Sequence, residues 1–513
     1  VRIAVLLLAL LPLMTGPAPA SAQAVYYRSI PIGERAIGLG GAYTGIADDP
    51  SAAYYNPAGI TSGGRFQLLG SLSSLVFVKS KVNGGFQLED EAKTFKSDST
   101  TTLPRFVGTV VKFGRVKYGD HQFSVAYSSF EPQRNSESFS DVGVTEQGSV
   151  GIRIGNGFRS RWYGASFAGR LSEKMSLGTT AYVAAQRLGY DEFITLSEGG
   201  TMSGVQVSNP DFAVTTYTDV SAKSYHLALR LGYLFLINPK WQWGVMFQAP
   251  GIPLRQRGSI FRQGSEVQGS EVTYLTPIDE SSLQASMPIP FELRTGAAHR
   301  INQQTLLSVD FSVDGPVSGG RVVQLPSELT DVEARPGIYY ANSTKRRWAP
   351  NTAIGAEHKF GKAIVAGGLF TNISAAADVP ESSASYAAAQ VNLYGGSIYV
   401  GLDTKGYKLS FGATGEYGRG HALAVSVDRF GNAIRYERTA ANSGALILFV
   451  AGAVSVASKA AKDIKERHEE KKAAVEAASL EARTAHYPEE PAVSSSPADS
   501  SRARSGLPSA RSR

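Results

Sequence analysis

The chain of 513 residues has no cysteine, so no disulfide framework can staple it. Beyond its first residues it has no apolar run of the roughly eighteen residues that a membrane-spanning helix requires. Charged residues are sparse at 19% and the net charge of +7 is modest, so nucleic-acid binding is not expected. The seven histidines (His121, His226, His299, His358, His421, His468, His486) are scattered, with neither His-Glu-x-x-His nor a paired metal spacing. No Gly-x-Ser-x-Gly elbow occurs. Gly38-Leu-Gly40 is followed by Tyr43 where a dinucleotide fingerprint needs glycine, and no Gly-Lys-Ser/Thr follows. Ser224 and His226 share one strand face, as do many residues lining a lumen, whereas a hydrolase would need its pair on adjacent strands. No catalytic residue, no metal and no cofactor is expected.

What the chain does have is glycine, 54 residues, and aromatics, with 23 tyrosines and 23 phenylalanines. That mixture suits strands that are apolar on one face only. At the start, Arg2, the apolar run Ile3–Met14 and the small residues Ala20-Ser21-Ala22 read as a secretory signal peptide over 1–22, with the mature chain beginning at Gln23.

Period-two alternation dominates the long middle of the chain. In Ser224–Phe235 one face is Tyr225, Leu227, Leu229, Leu231, Tyr233 and Phe235, and the other is Ser224, His226, Ala228, Arg230 and Gly232. The same rhythm marks Trp241–Gln248, Phe291–Ala298, Leu307–Ser312 and Tyr407–Thr414. Strands are expected near 66–80, 104–115, 120–130, 158–171, 175–188, 222–236, 240–249, 287–300, 304–313, 346–359, 362–372, 393–403, 406–425 and 443–456. Tight turns at Gly114–Gly119, Ser172-Glu173-Lys174, Asn238-Pro239, Asn302-Gln303, Gly361 and Thr404-Lys405 alternate with long connections at 131–157, 189–221, 250–286, 314–345, 373–392 and 426–442. One rim with short turns and one with long loops is the pattern of a transmembrane barrel with a periplasmic and an extracellular side. The fold class is therefore all-β: an antiparallel transmembrane β-barrel of about fourteen strands over 63–457. His226, Arg230, Glu292, Arg294 and Asp310 are expected to face the lumen, where charge is cheap.

Ahead of the first strand stands Gly33–Ile60, GERAIGLGGAYTGIADDPSAAYYNPAGI. Glycines break it into short pieces, and Asp49-Pro50 reads as the cap and first residue of a short helix, Pro50–Tyr55, that ends before Pro57. Ile37, Leu39, Ile46, Tyr54, Tyr55 and Ile60 need burial that nothing local supplies. The small-residue run Ala36–Gly45, then Ala47-Asp48-Asp49, then Asn56-Pro57-Ala58 resembles the N-terminal hatch of the FadL/TodX-like outer-membrane transporters of hydrophobic compounds. Related barrels of secretion systems share this opening. Leu103-Pro104, Pro288–Arg300, Trp348–Lys359 and Ala363–Phe370 extend the resemblance over roughly 25–456.

The resemblance implies fourteen strands, a hatch over 23–62 inside the lumen, and uptake of hydrophobic compounds such as long-chain fatty acids from the extracellular loops with lateral exit through the wall. It also places the solute-binding and gating contact at Asn56, Pro57, Ala58, Gly59 and Ile60. The expected partners are hydrophobic small molecules and outer-membrane lipid, and the expected location is the outer membrane of a Gram-negative cell. The alternative is a non-transporting barrel that serves as a scaffold in secretion or envelope assembly. Gly108, Gly114 and Gly119 mark places where strands could bend.

Ala445–Val456 is apolar on both faces, and a competing reading makes Ala445–Ala461 a short membrane helix. Barrels of this class usually end on a terminal aromatic, which here would be internal, near Phe449. Residues 458–486 carry helix formers and Glu/Lys pairs at helical spacing and are expected to form a charged periplasmic helix, with a disordered Pro/Ser/Ala/Arg-rich tail at 487–513. A periplasmic partner is the functional reading of that extension.

Overall fold

The computed structural model describes residues 26–27, 32–88, 91–102, 106–113, 123–144, 148–198, 212–274, 277–324, 343–383, 388–404, 406–427 and 434–456. The expected signal peptide, charged helix and tail lie outside the described residues. The strands are β1 (Phe66–Leu88), β2 (Glu91–Thr102), β3 (Phe106–Phe113), β4 (Phe123–Val144), β5 (Gly148–Arg170), β6 (Met175–Glu198), β7 (Phe212–Asn238), β8 (Trp241–Gln248), β9 (Ile252–Gln268), β10 (Glu271–Tyr274), β11 (Ile278–Leu283), β12 (Glu292–Arg300), β13 (Thr305–Asp314), β14 (Ala349–Phe360), β15 (Ala363–Asn372), β16 (Ser382–Ser383), β17 (Gln390–Thr404), β18 (Tyr407–Val427) and β19 (Ile434–Val456). They form one sheet that closes on itself where β1 pairs antiparallel with β19, Phe66 opposite Val456 and Val82 opposite Ala441. Closure pairs the edges that would otherwise be left open.

The expectation of about fourteen strands meets nineteen described ones because several runs across the wall are broken. β2 and β3 lie end to end along β1, β8 and β9 along β7, and β10 and β11 follow one another along β9, with β12 beside β8. β16 is only two residues long.

The tight turns at Ser172–Lys174, Asn238-Pro239, Asn302-Gln303 and Gly361 form where expected, for local reasons, whereas Gly114–Gly119 and Lys405 lie outside the described residues. Asn238 Oδ1 accepts from the Lys240 and Trp241 amides at 2.9 and 3.0 Å, and Asn302 Oδ1 accepts from Gln304 and Thr305 at 2.8 and 2.7 Å. In each case the side chain substitutes for a backbone turn acceptor.

Two expectations need correction. First, 131–157, 189–221, 250–286 and 426–442 are not chiefly loop: β4 to β7, β9, β18 and β19 run well into them. Second, Glu91–Thr102 is a strand where none was expected. The strand expected at 443–456 is the end of β19 rather than the membrane helix of the competing reading, and Phe449 points inward and is buried.

The first correction has a physical cause in a change of facing. Low on β5, Tyr163 and Phe167 point outward and Ser160 and Ser166 inward; higher up, Val150, Ile152 and Ile154 point inward and Arg153 outward. β6 and β7 change content at the same level, with Leu188 and Val220 inside and Arg187 and Lys223 outside. Below that level the exterior is an apolar belt of Leu229, Leu231, Phe247, Val309, Phe311 and their like, far more exposed apolar surface than water tolerates on a monomer. Above it the interior is an apolar core drawn from strands all round the wall, including Phe86, Phe95, Phe139, Ile152, Leu188, Ile260 and Val425. A sheet bathed in lipid must be apolar outside; one bathed in water must be apolar inside.

The belt generates a direct prediction. Leu231 is 57% exposed on the outward face of β7. Leu231→Lys should lower the unfolding free energy in lipid vesicles by about 2–4 kcal/mol, read by urea denaturation, because a cation would then face hydrocarbon.

Candidate functional site

Residues 32–61 hold two short helices, α1 (Glu34–Gly38) and α2 (Ala52–Tyr55), and a 3-10 turn, Pro57–Thr61. Gly33, Gly40 and Gly41 adopt positive φ (76°, 66° and 88°), which starts α1 and turns the chain after it. The helix expected at Pro50–Tyr55 is shorter than its signals: Asp49 Oδ1 accepts from the Ser51 amide at 2.8 Å and its hydroxyl at 2.5 Å, and the helix proper starts at Ala52. It ends at Tyr55, as Pro57 requires.

The segment is almost wholly buried, and it touches strands on all sides of the closed sheet. Its backbone lies against inward glycines of the wall. A methyl group at Gly178 of β6 would come within 2.4 Å of the Pro57 carbonyl carbon, and one at Gly232 of β7 within 2.3 Å of Asn56 Oδ1. At Gly244 of β8 it would meet the Thr44 carbonyl oxygen at 2.2 Å, and at Gly368 of β15 the Gly40 nitrogen at 2.2 Å. These strand glycines exist because another backbone must approach there.

Asn56 ties this contact together. Its Oδ1 accepts from the Ala58 amide at 3.2 Å, and its Nδ2 donates to the Thr44 carbonyl at 3.1 Å and the Tyr233 carbonyl of β7 at 2.9 Å. The side chain both forms the turn and fastens it to the wall. Pro57, Ala58, Gly59 and Ile60 are buried with it.

The charges expected to face the lumen do so, and most of them hold the segment. Arg230 donates to Gln248 Oε1 at 2.9 Å, to Glu292 Oε2 at 3.0 Å and to the Tyr54 carbonyl. Arg294 donates to Glu292 Oε1 at 2.5 Å and to the Tyr54 hydroxyl at 3.1 Å. The Arg230 guanidinium sits 4.0 Å from the Tyr54 ring centroid and that of Arg294 4.9 Å, so two cation–π contacts hold the ring. Asp310 accepts from the Tyr43 and Thr44 amides at 3.0 and 2.8 Å. Arg35 of α1 reaches the wall, donating to Glu357 at 2.5 and 2.9 Å and to Asp48 at 2.5 Å. Burial raises the Asp48 carboxyl, but Arg35 and the Tyr43 hydroxyl outweigh it and bring its pKa down to about 2, so it stays ionised. His226 stands apart: its Nδ1 faces Ser224 at 3.3 Å and its Nε2 faces Gln256 at 3.3 Å rather than a carboxylate.

Among the cavities beside the segment, two lie against Tyr54. One, of about 50 Å³, is lined by Ile32, Ile37, Tyr54, Tyr55 and Phe370 with Arg294 among its polar groups. The other, of about 30 Å³, lies between Tyr54, Trp162 and Ile289 with Arg230 and Glu292. Asn56–Ile60 line neither. Of the glycines marked as bend points, Gly108 is packed under Phe106 and Pro50, and Gly114 and Gly119 lie outside the described residues.

The sequence shows Asn56 and the lumen-facing charges, but not their meeting. Arg230, Gln248 and Glu292 share one rung of the sheet, and only register reveals that. The inward glycines carried a signal that alternation alone treats as neutral. Gly232→Val should leave the wall intact and unseat the segment, by losing about 2 kcal/mol or more of Asn56 hydrogen bonding. Protease cleavage within 32–61 in the folded, detergent-solubilised protein should rise sharply; protection equal to wild type would refute the contact.

No family model matches the sequence, and no curated protein matches it. Among solved structures the chain is similar to a FadL homologue of Pseudomonas aeruginosa, at 13% identity and a TM-score of 0.53, over 85% of this chain and 100% of that one. It is similar to the toluene transporter TodX of P. putida, at 11% identity and a TM-score of 0.50, over 86% and 100%. A TodX deltaS2S3 mutant, described as a monoaromatic hydrocarbon channel, gives 12% identity and a TM-score of 0.54, over 81% and 99%. At these identities the likeness is one of fold.

Proposed function

We propose that this chain, whose fold is FadL-like, is a channel of the Gram-negative outer membrane for the uptake of hydrophobic compounds, long-chain fatty acids among them, with 32–61 as its hatch. The observation that carries the reading is an apolar interior in the upper barrel standing over a sealed, tightly bonded segment below. An apolar solute gains about 25 cal/mol for each Å² it withdraws from water, and the upper core offers that environment. The cavities of about 50 and 30 Å³ beside the segment each have room for only a few waters, so on this reading passage requires the segment to move.

The hatch residues divide by role. Asn56, Pro57, Ala58, Gly59 and Ile60 gate as the anchor that must release. Tyr54 and Tyr55, which line the larger cavity, are the residues that meet the solute. Beside them two guanidiniums share one carboxylate, Glu292. Arg294 lines the larger cavity, which no carboxylate lines, and its guanidinium favours a solute with an anionic head, a fatty acid over its neutral ester.

The test is uptake of radiolabelled oleate and of methyl oleate by cells with and without the gene. Oleate should be taken up about tenfold faster through the channel, and Arg294→Gln should bring the two solutes level. Uptake unaffected by deleting the gene would overturn the channel reading.

A further inference from the structure

Outside the lumen, one row of cations on the wall is only partly paired among the described residues. Register places Arg134 of β4 opposite Arg159 of β5, Arg159 opposite Arg187 of β6, Arg187 opposite Lys223 of β7, and Lys223 opposite Arg257 of β9. Five cations thus occupy a single rung on five adjacent strands, about 5 Å apart. All five stand on the outward face. One rung lower, Arg161 and Arg255 flank Ala185 and Tyr225. Immediately below that begins the apolar belt with Tyr163, Val183 and Leu227.

Like charges directly opposite one another across strands destabilise a sheet. Glu131 relieves one end of the row: it pairs with Arg159 at 2.7 Å, Arg161 at 3.4 Å and Arg134 at 3.6 Å. Among the described residues no carboxylate lies within ion-pair distance of Arg187, Lys223 or Arg257. The nearest acids on the same face of β6 and β7, Asp191 and Asp219, oppose each other four residues further up, about 13 Å away. The row is therefore built for an external anion, and its height fixes which one. It sits where lipid tails end and headgroups begin.

We propose that this row docks the phosphate groups of the phosphorylated glycolipid of the outer leaflet, with the acyl chains lying down the belt over Tyr163, Val183 and Leu227. Guanidinium suits this task because its fork matches phosphate oxygens in pairs. The row is on the lipid side of the wall and shares no residue with the hatch or the cavities. The inference rests on the outer-membrane placement and is independent of what the channel carries.

The experiment is native mass spectrometry of the full chain in uncharged detergent, titrated with diphosphorylated lipid A, the same lipid stripped of its phosphates, or inorganic phosphate. Wild type should retain the diphosphorylated lipid and bind the phosphate-free lipid at least about tenfold more weakly, since each basic residue near a headgroup counts. The triple variant R187Q/K223Q/R257Q should lose the difference, while R187K/R257K, which keeps the charge, should stay within about threefold of wild type. Retention of the folded β spectrum in both variants separates lost binding from lost structure. Equal binding of the two lipids by wild type, undiminished binding by the triple variant, or saturation of the row by inorganic phosphate at the same concentrations would each overturn the proposal. A chain that stayed soluble and monodisperse without detergent would instead sink the membrane placement itself.

Discussion

A polypeptide enclosed by a closed sheet has no water to satisfy its backbone, so its amide groups must find partners in the wall. The structure around 32–61 follows from that demand. Asp310 accepts two amides of the segment, Asn56 bridges to the carbonyl of Tyr233, and Ser397 of β17 donates to the Gly38 carbonyl at 3.2 Å. Such bonds need the two backbones close, and glycines on β6, β7, β8 and β15 make that approach possible. The short helices and the 3-10 turn satisfy much of the rest internally.

The buried ions answer the same demand. An uncompensated charge in the interior is costly, and a broken pair more so. Arg230 and Arg294 share Glu292 and each also donates to Tyr54, so the cluster is at once a wall element and a clamp on the segment. Arg35 does the same from the other direction, carrying a charge on the segment to a carboxylate on β14. Prising the segment away would part Arg35 from Glu357 and take Tyr54 from the two arginines, and this favours a gate that is either seated or released.

Legibility in the sequence follows the solvent. Where lipid is the outer solvent, alternation is unambiguous, and Ser224–Phe235 reads as strand at sight because its outward residues are all apolar. Where water is on the outside, the rule reverses, and a reader expecting apolar-outward strands takes Gly148–Gly157 for loop although Val150, Ile152 and Ile154 keep the same parity facing inward. β2 was invisible for a related reason: of KTFKSDST only Phe95 is apolar, and it is the residue that enters the core. In the site, Asn-Pro-Ala and the inward charges were readable residue by residue. Their convergence was not, because it depends on strand register and on glycines whose meaning lies in what they lack.

The central claim is that the leading segment stops the barrel. It is tested most directly by deleting Gly33–Ile60 and recording single-channel conductance in planar bilayers beside the full chain. The full chain should be nearly silent, and the deletion should give large, steady, poorly selective openings. A folded deletion variant as silent as the full chain would contradict the account.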